Sequence, residues 1–164
     1  MNDKNKFKEL DEKTYQYIKK TVPQPPKSFK RRVKVTSQKE IKLDNRNIIE
    51  EKSTVDDLDD FEIILDAVSG KLIGWDYLSM ISGGESQNYS QEEIQEIVEK
   101  FIEIPVDAKF SSVLGQTIEN DKILCGIWNH YYKEKLIEND SLFVRFNPTT
   151  KKVISVRKYW YEED

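Results

Sequence analysis

The side chains able to do covalent or acid–base chemistry are few and poorly grouped. The chain has one thiol, Cys125, and one imidazole, His130. Both fall in an apolar stretch that reads as a single strand, and their odd separation sends them to opposite faces of a sheet. A Cys–His nucleophile pair needs hydrogen-bond contact between its members, so this spacing excludes it. Cys125 then reads as a small buried hydrophobe. His130, in phase with Trp128 and Tyr132, reads as part of an aromatic face. One Cys and one His do not supply the four N/S ligands of a structural zinc. Asp56, Asp57, Asp59 and Asp60 are hard oxygen donors, but they lack the alternating order of a calcium loop and read as a solvated acidic stretch. Ser82-Gly83-Gly84-Glu85-Ser86 lacks the Gly-Lys-Ser/Thr ending of a phosphate loop and reads as a link. Glu62, Asp66 and Asp76 are the carboxylates through which an uncharacterised hydrolase could work, and nothing in the sequence brings two of them together. No catalytic residue, metal or cofactor is expected.

Two groups remain that could bind rather than react. Lys27, Lys30, Arg31, Arg32 and Lys34 cluster around Phe29 and could grip phosphates or an acidic partner; pairing with the acidic stretch 56–66 of the same chain is the simpler expectation. Trp128, Tyr131, Tyr132, Tyr159, Trp160 and Tyr161 form an aromatic set, and rings with polar tips give rigid contact area to a partner protein. Charged residues make up 34% of the 164-residue chain and apolar residues 37%, so the core is small and the surface heavily charged. The net charge of −4 weighs against nucleic acid as a partner. The polar N-terminus leads into no apolar stretch, and no run approaches the roughly 20 apolar residues of a membrane span. A cytoplasmic protein that does not enter a membrane is expected.

The elements that would hold these residues follow from periodicity. Residues 7–20 carry apolar positions at helical spacing, and Val22–Pro26, with three prolines, reads as a stiff connector. Residues 31–43 alternate weakly, as one or two edge strands. Residues 44–60 are polar and acidic and read as a mobile loop. Ser90 with Glu93 forms a capping box, and Ile94, Ile97, Val98, Phe101 and Ile102 make one apolar stripe behind it, closed by Pro105. Four strand candidates follow, at 109–118, 123–135, 141–147 and 151–160. The chain therefore divides into residues 1–60, with the N-terminal helix, the Pro-rich connector and the charged loop, and residues 61–164, a helix-on-sheet domain, the whole forming one compact unit.

One hairpin is written twice. Leu65-Asp66-Ala67-Val68-Ser69-Gly70-Lys71-Leu72-Ile73 matches Phe146-Asn147-Pro148-Thr149-Thr150-Lys151-Lys152-Val153-Ile154: an apolar strand, Asp or Asn, a short turn, a lysine and a second apolar strand. Both resemble the V-D-A-x-T-G-x-V hairpin of PepSY-type domains, with Lys151 in place of the usual glycine. The resemblance spans 61–76 and 90–160. It implies a cystatin-like shape and an inhibitory or protein-binding role. The expected fold is α+β: an antiparallel meander of about four strands with a helix packed on one face, plus an N-terminal helix and an extra hairpin. The expected function is a non-enzymatic module, inhibitory as the resemblance implies, that binds another protein or peptide through an aromatic sheet face (Trp128, His130, Tyr132, Tyr159 and Trp160) or through a strand edge. That face is either open or covered by residues 1–60. An intracellular antagonist of a single partner, of the immunity-protein or phage type, is the alternative.

Overall fold

The computed structural model describes residues 7–21, 27–43, 46–77, 89–118 and 121–160. The connector Val22–Pro26, the Gly83-Gly84 link and Tyr161 lie outside them. The expected α+β, cystatin-like fold is overturned. Among the described residues nine strands stand against two helices of 10 and 9 residues, and strands dominate both of the compact units into which the chain divides, Met1–Asp76 and Tyr77–Asp164.

In the first unit the strand order is β1 (Phe7–Glu9), β2 (Arg32–Leu43), β3 (Arg46–Val55), β4 (Leu58–Asp66) and β5 (Leu72–Tyr77). Helix α1 (Glu12–Thr21) is shorter than expected because Asp11 starts it: its carboxylate accepts from the Thr14 amide at 2.8 Å and from the Thr14 hydroxyl at 3.0 Å. The residues just before it pair with β2 instead. Ile18 is fully buried, as are Val33, Ile63, Ile64 and the stacked pair Phe61 and Trp75, 5.7 Å apart. Burial pushes the Tyr17 hydroxyl up from the usual phenol range, and a hydrogen bond with Trp75 pulls it partly back.

Within the expected loop at 44–60, residues 46–55 are the central strand of this unit, β3, and residues 58–60 open β4. β3 pairs antiparallel with β2 on one side and with β4 on the other. Its acidic composition hid it, because the carboxylates are satisfied inside the sheet: buried Glu51 accepts from Lys8 Nζ at 3.0 Å and from Gln38 Nε2 at 2.7 Å. The acidic pair Asp56-Asp57 is a tight turn, with Asp57 at φ 70° and the Asp56 carboxylate 3.1 Å from Arg32. Likewise, 31–43 is one 12-residue strand, bent by a bulge between Val35 and Ser37.

In the second unit, helix α2 (Gln91–Glu99) precedes β6 (Ala108–Ile118), β7 (Asp121–Tyr132), β8 (Lys135–Phe146) and β9 (Val153–Tyr159), which pair in sequence, antiparallel. The capping box at Ser90 and Glu93 is formed in both directions, and Ile94, Ile97 and Val98 are buried. Leu142, Val144 and Phe146 are buried in period two while Phe143 and Arg145 between them are half-buried. Trp128 folds back over Gly126, and a Cβ placed at Gly126 would lie 2.8 and 2.9 Å from the Trp128 ring and 3.4 Å from Ile94 Cγ2.

The doubled hairpin is one turn built twice. The Asp66 amide donates to Lys71 O and the Asn147 amide to Lys152 O, at 2.9 and 3.0 Å. Each side chain then accepts amides two residues on, Val68 at 3.0 Å for Asp66 and Thr149 at 2.8 Å for Asn147. The fifth position is left-handed in both, Gly70 at φ 77° and Lys151 at φ 58°. Glycine takes that conformation freely and lysine does not, so Lys151→Gly should stabilise the fold by about 0.5–1 kcal/mol and Gly70→Ala should destabilise it by about 1 kcal/mol, read as shifts in urea midpoint. Gly126→Ala should cost about 1–3 kcal/mol in the same assay, because the indole it would strike is itself fully packed.

Candidate protein-binding edge

The edge and its groove are built on the Trp128–Gly126 contact. α2 presses Ile94 onto β7 beside Gly126. Phe110 of β6 stands edge-on to the Trp128 indole, centroids 5.4 Å apart. Register pairs Phe110 with Trp128 and Val113 with Gly126, so both β6 side chains share the face that carries α2, while Leu114, opposite Cys125, lies on the other. Between the helix and β6 runs an open groove of about 500 Å³, walled by Gln91, Gln95 and Glu99 and floored by Pro105 and Phe110, with the Trp128 ring buried beneath.

β6 is the terminal strand of the order, with β7 as its ladder partner. From Phe110 to Ile118 it holds no charged residue. After a bulge between Phe110 and Ser112, the ladder is regular to its end. Val113 and Leu114 are 38% and 50% exposed. In the first unit the terminal strand β1 is three residues long with Lys8 and Glu9 both in ion pairs, and the β2 segment beyond it carries a bulge and the charges Lys39, Glu40 and Lys42. Short length, charge and bulges are what keep an edge from accepting another strand. β6 has no charge along its regular ladder.

The five residues expected on one aromatic face are not brought together there. Trp128 is 1% exposed and closes the core beneath α2, so it offers no area to a partner. His130 is 4% exposed. Its Nδ1 lies 2.7 Å from Asp140 Oδ2, its Nε2 lies 2.6 Å from Asp107 Oδ2, and its ring stacks on Trp160 at 4.0 Å. Tyr159 stands edge-on to Phe143, 6.4 Å away. Tyr132, 46% exposed near the β7–β8 turn, is the one of the five that faces solvent freely. The register also pairs Tyr159 with Ser141, in the row of Asn129, so Tyr159 stands on the face opposite to Trp128.

The Asp107–His130–Asp140 cluster was not foreseen. Its members sit at the start of β6, in β7 and in β8, and nothing in their spacing along the chain signals contact. With both ring nitrogens taken by carboxylates, the imidazole ties three segments together and has no nitrogen left to exchange a proton with a substrate. Burial pushes the Cys125 thiol up, the nearby Arg145 guanidinium acting in the opposite sense, which makes a poor nucleophile. Among the described residues, no group of three or more His, Cys, Asp or Glu is placed to hold a metal ion. Asp66 is engaged in its own turn, accepting from Val68 N and Ser69 Oγ. In the basic cluster, Arg31 pairs with Glu9 and Glu12 and Arg32 with Asp56. No described helix is long and apolar enough to cross a membrane. No protein-family model matches the chain, and no curated protein or solved structure matches it.

His130→Ala removes the donor facing the fully buried Asp140 carboxylate. It should cost about 3 kcal/mol in chemical denaturation, much of it recovered when Asp140→Leu is added to His130→Leu, since a buried pair is costly to break singly and cheap to replace whole. A single-variant loss below about 1 kcal/mol would show that the pair is not closed.

Proposed function

We propose that the chain is a non-enzymatic protein-binding module that takes an extended segment of its partner as an additional strand along β6. The observation that carries this reading is the uncharged run Phe110–Ile118 on a terminal strand whose exposed side chains include Val113 and Leu114. Alternate backbone groups of such a strand point away from its neighbour, and an added segment satisfies them with main-chain hydrogen bonds. Specificity then comes from side chains that alternate along the incoming strand: those on the α2 side reach the groove, and those on the far side meet Leu114. The hairpins' resemblance to PepSY-type turns suits a protein-binding or inhibitory role. The carboxylate-bound histidine and the high thiol give no support to a catalytic one.

A displayed library of short random peptides, selected on the intact protein, tests this. Selected peptides should slow amide hydrogen exchange at Ser112–Ile118, and synthetic versions with alternate backbone amides N-methylated should lose binding. A library that yields no binder, protection confined to other strands, or N-methylated peptides that bind equally well would each overturn it.

A further inference from the structure

The groove beside β6 says which side chain a partner strand must bring. We infer that the incoming strand presents an arginine or lysine to the groove between α2 and β6, its aliphatic stem on Phe110 and Pro105 and its cationic head at Glu99; this rests on the strand-addition reading above. Three observations converge. The wall of the groove is one stripe of α2, Gln91, Gln95 and Glu99, four residues apart along the helix, so every wall residue offers an oxygen acceptor. Glu99 stands in the last turn of α2, which holds no basic residue. A carboxylate there sits at the negative end of the helix dipole, where a cation is the favoured neighbour. Gln95 Nε2 donates to Glu99 Oε1 at 3.1 Å, which orients the carboxylate and leaves Oε2 to accept from a partner.

The one cation among the groove's lining residues is already engaged: Lys109 Nζ lies 4.5 Å from the Tyr131 ring centroid. Next to that stripe the exposed face of α2 adds Glu92 and Glu96, so the approach to the groove is acidic, with Lys100 at the helix end as a basic neighbour. The floor is apolar and partly aromatic, and it receives the methylene stem of a long basic side chain while its head stays at the polar wall. A short acidic side chain would meet Glu99 directly, and a purely aliphatic one would leave the wall's acceptors unmatched.

Register places this residue. Phe110 and Val113 flank the bulge on the α2 side, so the basic residue is the one whose side chain falls beside them, and its neighbours in the incoming strand point to the opposite face. The partner is therefore an extended, otherwise uncharged segment with one basic residue at a fixed position.

Peptides selected from the displayed library on the wild-type chain should carry Arg or Lys at one constant position. Replacing that residue by norleucine in the synthetic peptide, or Glu99 by Gln in the protein, should weaken binding about fivefold while amide protection at Ser112–Ile118 persists. Glu99→Lys should reverse the preference toward a peptide with Glu at that position. Circular dichroism and denaturation midpoints confirm that these variants of an exposed residue stay folded. A norleucine peptide that binds as tightly as its parent, with β6 still protected, overturns the cation groove and leaves strand addition standing. Absence of β6 protection overturns strand addition itself.

Discussion

The close approach of the Trp128 indole and Ile94 to Gly126 is the contact on which the second unit depends. A sheet position without a side chain lets the ring fold back along its own strand, and the space above it is then filled by one residue of α2. That sets how closely the helix approaches β7, and the approach sets the width of the groove along β6. The capping box at Ser90 serves the same end, because it starts the helix where its apolar stripe meets the ring. Phe110, edge-on to the indole, carries the constraint outward to the terminal strand. The accessible features of β6 are thus extensions of a buried aromatic contact that is itself sealed from solvent.

Charge is handled in opposite ways in the two units. In the first, carboxylates enter the sheet and are paired there: Glu51 takes Lys8 and Gln38, and Asp56 takes Arg32. Its outer strands carry lysines, glutamates and a bulge. In the second, the buried Asp140 carboxylate is held by one imidazole, and the outer strand is left uncharged for nearly its whole length. Exposed apolar residues on an unprotected edge invite association. The contrast between β1–β2 and β6 within one chain is the physical basis for reading β6 as a contact surface.

Four strands between 108 and 159 were legible from their apolar runs, but the β7–β8 turn was not: it falls at Lys133-Glu134, both left-handed, and residues 136–140, outside the expected strands, belong to β8. The α2 start was legible because a capping box is a local arrangement whose partners are three residues apart. The repeated turn was legible for the same reason: Asp66 and Asn147 bond amides two residues away. β3 was not, since Glu50-Glu51-Lys52 has the composition of a solvated loop until Lys8 and Gln38, distant in sequence, arrive to bind it. The aromatic face was not legible because Trp128 and His130 are buried by segments distant in sequence, and because cross-strand register, which puts Tyr159 opposite Ser141, leaves no mark in the chain.

What the sequence determined alone is everything governed by neighbours within a few positions: caps, turns, strand period, the scarcity of reactive groups, and the uncharged run from Phe110 to Ile118. Tertiary structure alone decided which strand became terminal, which rings were sealed, and that His130 lies between Asp107 and Asp140. Those outcomes depend on pairings between segments tens of residues apart, whose energies are set by shape and burial rather than by local pattern, and such pairings leave no periodic trace in the chain.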